Sequence, residues 1–514
     1  MLKEQLQPLK DAMRKASKDK PKTKQKKLVL NQTRTQSSVI KKRKFLFDEP
    51  LALIGRPKSS VTSAPPVGKS VPKINVDIEQ YKRPGREACE LMLNVSRYQN
   101  LEFVAESKLS LSPRKTQELV IGLDFGTAYT KVIIGELTYA YPISFDDHGY
   151  LLPSEIFMDQ DGECTLSNYL DGIRFKELKL PLLLDNTTKP DMILIIAFFA
   201  LIFCQCRRWS ESSIYKDTNI DWLVNAGLPT ESYHDEKLSG SYKVIISAAW
   251  ILSFCREVSI QNASLVMETL ELSSNSIPDK FQLSPELISL FPEFAAQIVG
   301  YVQSPSRREY SHLLVDIGAG TLDVAMFIVS NEDGEWLFQT TGKDISTLGA
   351  DILAKHRVMR ANKKVEIDFS TCYPNEEQFA NTLEISLDDL SIIDKPFFTA
   401  VNASIKDVVI SIKGGDKFGS DITTFICGGG RNVGLYNKAI DVVKRDFPLK
   451  ILTLPIPERL RAEGVEIEDY HRLSVAYGLS YDPFNIGSTI KKYVKRKPIF
   501  HSEFEPSNYG MCPK

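Results

Sequence analysis

From Leu119 onward, apolar residues recur in short runs separated by Gly, Pro and acidic turns, as in strands alternating with helices. Two runs are alike: Leu119-Val-Ile-Gly-Leu-Asp-Phe-Gly-Thr-Ala-Tyr-Thr-Lys131 and Leu313-Leu-Val-Asp-Ile-Gly-Ala-Gly-Thr-Leu-Asp-Val324. Each reads as an apolar strand reaching an Asp, a tight Gly-Thr turn, and a second apolar strand. The pattern predicts hairpins at 119–137 and 312–329, with Tyr139-Ala-Tyr-Pro-Ile-Ser144 and Leu151-Leu-Pro-Ser154 continuing the first sheet. It also predicts a long apolar helix at 192–206, a strand over Asp221–Pro229, a strand region at 258–270 and a helix over 285–303. Leu287, Leu290, Phe291, Phe294, Ala295, Ile298 and Val299 mark one face of that last helix. A helical insertion at 346–415 precedes a strand, Ile422-Thr-Thr-Phe-Ile-Cys427, that opens onto Gly428-Gly-Gly430. Helices over 431–446 and 471–479 follow, then an irregular tail. The fold class is α/β.

The chemistry of the hairpins is that of phosphate. A tip built of Gly and Thr presents bare backbone N–H groups and a hydroxyl to a phosphate oxygen. An Asp at the strand end beside it is placed to hold Mg²⁺ through its water shell. Two such tips in one chain suggest a duplicated domain gripping one nucleotide from both sides. Gly428-Gly-Gly-Arg431, between a strand and a helix, allows close approach to the backbone. The chain has no G-x-x-x-x-G-K-[ST] loop, which argues against a P-loop enzyme.

Composition changes the picture at the N-terminus. Residues 1–50 carry 15 Lys and Arg against 5 Asp and Glu, whereas the whole 514-residue chain has a net charge of −1. Residues 1–115 therefore read as a basic, largely disordered extension with a Pro- and Ser-rich linker between Arg56 and Lys73 and helical spacing over Arg86–Val95. The basic arm is a candidate for contacting DNA or an adaptor protein. The Lys run has no interleaved aromatics, which weakens a nucleic-acid role. The run Met192–Cys204 has fewer apolar residues than the roughly 20 a spanning helix needs, so a buried core helix is expected and no transmembrane segment. Eight scattered cysteines without a CxxC pair point to a reducing, cytoplasmic setting and no zinc site.

The order of hairpin, helix, hairpin and Gly-rich turn resembles the nucleotide-binding core shared by actin, Hsp70 and the bacterial actin-like ATPases of the ParM/StbA type. Asp124-Phe-Gly-Thr127 is similar to the first phosphate motif, Asp316-Ile-Gly-Ala-Gly-Thr-Leu-Asp323 to the second, and Ile426-Cys-Gly-Gly-Gly-Arg431 to the adenosine motif. Glu293-x-Ala-Ala296 and Arg472-Leu-Ser-Val-Ala-Tyr-Gly-Leu479 resemble the two connecting helices, and Asn225-Ala-Gly-Leu-Pro229 and Leu348-Gly-Ala-Asp351 also fit. The resemblance implies two RNase H-like (actin-like ATPase) domains, 116–305 and 306–485, around a nucleotide cleft, with a tail at 486–514. It implies ATP and Mg²⁺ as ligands, with Asp124 and Asp316 organising hydrated Mg²⁺. Glu293 would orient the attacking water. Gly126, Thr127, Gly318, Ala319, Gly320 and Thr321 would cradle phosphates, and Gly428, Gly429, Gly430 and Arg431 would hold the adenosine. Lys131 lies where actin-like filament proteins place a phosphate-reaching Lys; Hsp70 chaperones bring theirs from another strand. The function implied is an ATPase with nucleotide-dependent cleft closure, forming filaments for DNA segregation or a cytoskeleton. The alternative is an Hsp70-like switch acting on a partner, without a peptide-binding domain. A non-catalytic scaffold or a small-molecule kinase on the same fold fits less well.

Overall fold

The computed structural model describes residues 86–95, 101–104 and 115–489, apart from short internal breaks, the longest at 364–372 and 411–420. The basic arm, the linker after it and the C-terminal tail from 490 lie outside the described residues. The first hairpin is β1 (Thr116–Phe125) and β2 (Tyr129–Gly135), followed by β3 (Ala140–Pro142) and β4 (Leu152–Pro153). A small three-stranded sheet, β5 (Ile156–Met158), β6 (Cys164–Thr165) and β7 (Ile173–Phe175), leads on to β8 (Asn219–Leu228) and β9 (Ile288–Pro292). The second hairpin is β10 (Tyr310–Ile317) and β11 (Leu322–Glu332), joined by β12 (Glu335–Ser346), β13 (Ile422–Cys427) and β14 (Leu449–Leu452).

The two main sheets repeat one plan. Their orders are β3-β2-β1-β8-β9 and β12-β11-β10-β13-β14. In each, the first hairpin strand has antiparallel neighbours on one side and two parallel strands on the other. Strands β1 and β10 are central and buried, so their near-continuous apolar runs meet packed faces on both sides.

Helices cover the sheets. The N-terminal helix α1 (Arg86–Val95) lies where the sequence has helical spacing, and its Cys89 is buried in the first core. Residues 101–104 follow it down: Phe103 bridges Cys255, and the Val104 amide donates to the Phe254 carbonyl at 2.9 Å. After the single turn α2 (Leu180–Leu183) comes α3 (Lys189–Ser212), started by a capping box between Thr188 and Asp191 with Pro190 in its first turn. It is apolar and long enough to span a membrane, but most of that stretch is buried against the first sheet, α4 (Glu236–Leu252) and α5 (Ile260–Leu272). It is a core helix, as expected from the short apolar run Met192–Cys204.

Two expectations are corrected here. Residues 258–270 are not a strand region, because α5 places Ile260, Ala263, Val266 and Met267 in the core at helical spacing. Residues 285–303 are not one helix. Pro285–Leu287 is a single 3-10 turn, Ile288–Pro292 is the edge strand β9 paired with β8, and only α6 (Glu293–Val302) is α-helical. Pro292 marks the break: it lacks an N–H, so it sits at the N-cap where no helical donor is needed. Strands β12 and β14 are additions the apolar pattern did not single out.

The second half has its own core, built on β10, β11 and β13 by α7 (Ala350–Arg360), α9 (Leu387–Ile410) and α10 (Gly434–Asp446). The short helix α8 (Glu376–Leu383) caps a satellite cluster with α7. A third core lies between the halves, where α6 crosses α11 (Ser474–Leu479). The crossing is made backbone to backbone. A Cβ at Gly478 would collide with the Ala296 carbonyl, and one at Gly300 would lie 2.7 Å from the Tyr470 hydroxyl. Asn225 of β8 ties in from the first sheet, donating to the Leu479 and Tyr481 carbonyls, both at 2.8 Å.

Candidate functional site

Both hairpins close in the same way. The Gly126 amide donates to the Tyr129 carbonyl at 3.1 Å, and the Gly318 amide to the Thr321 carbonyl at 2.9 Å. The amides of Thr127, Ala319 and Gly320 have no acceptor among the described residues, so bare donors are available at both tips. The tips are braced differently. Ser154 holds the first, its hydroxyl donating to the Gly126 carbonyl at 2.7 Å and its amide to the Ala128 carbonyl at 2.8 Å. The second is held by the N-terminus of α7: the Ala350 and Asp351 amides donate to the Gly318 and Ala319 carbonyls, both at 2.9 Å. The tips face each other, since a Cβ at Gly320 would lie 3.3 Å from the Thr127 hydroxyl.

Asp124 and Asp316 hold equivalent places, and register decides what stands opposite each. Across β1–β2, Asp124 pairs with Lys131. Across β10–β11, Asp316 pairs with Asp323. The first pair is a salt bridge, Lys131 Nζ to Asp124 Oδ2 at 2.9 Å, in which Asp124 is buried. The second sets two carboxylates against each other, neither ion-paired among the described residues. Burial pushes Asp316 up to about 6, with Asp124 and Glu293 adding to the rise. The hydrogen bond from Gln297 and the charge of Lys131 oppose it. Burial, then Asp316 and Glu293, raises Asp323 well above the usual carboxylate range. The Thr321 hydroxyl donates to Asp323 Oδ2 at 3.1 Å, but Oδ1 is sealed from solvent without a partner among the described residues.

The helix α6 feeds the site from below. Glu293 and Gln297, one turn apart, lie on one face. Gln297 Nε2 donates to Asp316 Oδ2 at 2.6 Å. Glu293 accepts from Lys179 Nζ at 2.5 Å. The space for Glu293 comes from Gly227 at the end of β8, where a Cβ would lie 2.8 Å from the Glu293 Cγ. A cavity of about 20 Å³, room for one water, is lined by Glu293, Gln297, Asp316, Asp323, Lys343 and Asp344. Among the described residues no three His, Cys, Asp or Glu side chains are grouped to hold a metal directly.

Gly428 follows β13 with a φ of +84°, a conformation that favours glycine, and a Cβ there would strike Asp316 Oδ1 and the Ile317 carbonyl. The Gly430 amide donates to the Ile317 carbonyl at 2.9 Å, which locks the Gly-rich turn onto the second hairpin. Among the described residues, Gly429 is open, with only the Tyr373 ring 4.0 Å from a Cβ there. Arg431, with Arg472 and Lys131, is among the charges that act on His471. That histidine is held down to about 3, chiefly by burial and then by those cations. The structure thus brings Asp124, Glu293, Asp316, both tips and the Gly-rich turn to one locus.

Lys179 was not legible in the sequence. It is buried, and burial pulls its ammonium down. The charges of Glu293, Tyr242 and Asp124 outweigh that and hold it above its usual range. No motif surrounds it; the signal was only a lysine in an apolar stretch. A larger cavity, about 1260 Å³, lies at the other end of β1 and β8 near Glu118, Asn219 and Asp221, away from these residues.

No protein-family model matches this chain, and no curated protein matches its sequence. Among solved structures, it is similar to the apo form of the psk41 ParM protein, with 11% identity and a TM-score of 0.36, over 71% of this chain and 96% of that one.

Proposed function

We propose that this protein binds and hydrolyses a nucleoside triphosphate, ATP by resemblance, between two actin-like halves, 116–305 and 306–485, each with an RNase H-like sheet. The observation that carries this reading is the repeated sheet plan, which delivers two Asp-to-Gly-Thr hairpins tip to tip, with free amides facing one locus. The amides of Thr127, Ala319 and Gly320, with Lys131, receive the phosphates. The turn Gly428–Gly430 and Arg431 receive the nucleoside. Glu293, held by Lys179, orients the attacking water, and catalysis rests on charge stabilisation and positioning.

The donor set fits a hydrated divalent cation. It consists of oxygen ligands, and Asp316 and Asp323 face each other without a direct ion pair among the described residues. Asp316 and Asp124 would hold Mg²⁺ through water, and the ion would neutralise phosphate charge. Gln297 fixes the Asp316 carboxylate, while Lys131 already balances Asp124.

Nucleotide-dependent closure of the cleft then drives self-association into filaments in the cytoplasm, with the basic arm reaching DNA or an adaptor. Sedimentation of the full chain tests this: ATP should drive it into the pellet above a critical concentration. A strictly monomeric protein that nevertheless turns over ATP would support the second reading, a partner-switching ATPase of the Hsp70 kind. Lys179 favours that alternative, because it brings a lysine to the site from outside the hairpins. Absence of nucleotide binding would sink both.

A further inference from the structure

Three consecutive residues between β7 and α2 point to three different parts of the molecule. Leu178 is fully buried in the first core. Lys179 enters the site and donates to Glu293. Glu177 reaches the other way, to the second half, where Lys355 Nζ of α7 donates to its Oε1 at 2.6 Å. The backbone commits to this arrangement: Glu177 sits at a φ of +56°, and its carbonyl accepts from the Leu180 amide at 3.1 Å. A non-glycine residue is held there only when its surroundings enforce it.

The far end of the connection is equally fixed. Lys355 lies one turn beyond Asp351 on α7, whose amide braces the second tip at the Ala319 carbonyl. The Tyr373 hydroxyl donates to the Asp351 carboxylate at 2.7 Å. Lys355 and Glu177 are the further charges acting on that carboxylate, which burial raises. One short segment therefore touches the carboxylate on α6 and the helix that carries the second tip.

We propose that Glu177 and Lys355 form a latch across the cleft that makes Glu177-Leu178-Lys179 a coupling element. When the halves part, the Glu177–Lys355 pair breaks, the segment loses its outer anchor, and Lys179 no longer holds Glu293 in place. Glu177 and Lys355 are positioning residues, acting through Lys179. This rests on the nucleotide-cleft reading for its consequence in turnover but not for its mechanics.

Glu177→Gln, Lys355→Met and the reversed pair Glu177→Lys/Lys355→Glu test it in the full chain. Without nucleotide, hydrogen exchange at the hydrogen-bonded amides of Leu180, Leu182, Ala350 and Asp351 should quicken about two- to five-fold in each single variant, the range expected of a partly exposed pair, and return toward wild type in the reversed pair. With ATP, the single variants should release a fluorescent nucleotide faster and show a lower kcat, both restored in the reversed pair. Unchanged exchange in the single variants, or additive rather than compensating effects in the reversed pair, overturns the latch. If the wild type binds no nucleotide, the exchange measurement still decides the latch, and the cleft reading falls separately.

Discussion

The two hairpins share one turn, one sheet position and one spacing, and they differ in the residue facing the acid. Seven residues after Asp124 the first returns Lys131; seven after Asp316 the second returns Asp323. The first tip is electrostatically complete within its own half. The second carries two facing carboxylates, one raised to about 6, with no direct ion pair among the described residues, although the charges of Lys131 and Lys179 act on them through space. The repeated sheet plan thus has one side finished by its own ion pair and one left unfinished. On the proposed reading, the asymmetry puts the cation nearer the second hairpin than the first.

The strongest way to break this comparison is to remove either acid. Asp316→Ala and Asp124→Ala should each lower magnesium-dependent phosphate release by about 10²–10³-fold, the usual cost of losing a preorganised charge-stabilising group. Equal turnover in either variant would remove that residue from the site. Lys131→Met probes the finished side. It strands the buried Asp124 carboxylate and should destabilise the protein by about 3 kcal/mol in urea unfolding near neutral pH. An unchanged midpoint would mean that the pair contributes nothing.

The unfinished side has a pH signature. Asp316 holds its proton longer in the folded chain than unfolded, so stability is greatest below its ordinary value near 3.8 and falls as pH rises through about 6. A loss of about 1–2 kcal/mol across that window is expected for a half-buried group, after discounting for solvent. Magnesium with nucleotide should flatten the slope; a slope unaffected by both would place the cation elsewhere. The smallest expected effect is that of Asp323→Asn. It relieves the like-charge pair and should stabilise the ligand-free protein by about 1 kcal/mol at neutral pH. Thermal unfolding without ligand reads it, and destabilisation would show that Asp323 is held by something other than repulsion.

Much of this was legible in the chain, for identifiable reasons. The hairpins could be read because a fully buried strand writes a continuous apolar run, and Asp-to-Gly-Thr punctuates it. Even the opposed carboxylates were countable, since the spacing fixes the register. What failed was periodicity at junctions. Leu287, Leu290 and Phe291 match a helix face by coincidence, while Pro292 marks the true boundary between β9 and α6. The run 258–270 is rich in residues that suit either state, and only packing against α3 and α4 decides it. Lys179 and Glu177 were invisible because their partners, Glu293 and Lys355, are more than a hundred residues away. Such pairs leave no local pattern.

The crossing of α6 and α11 bears on the thermodynamics of binding. Its centre is bare backbone at Gly478 and Ala296, flanked by apolar clusters, and the third core joins Ile133 and Ala140 of the first sheet to Leu314 and Phe327 of the second. Parting the halves there would disturb apolar surface that both sheets share. A ligand that drew the halves together would then carry a negative heat-capacity change, the mark of apolar burial, beside the polar contributions at the rim.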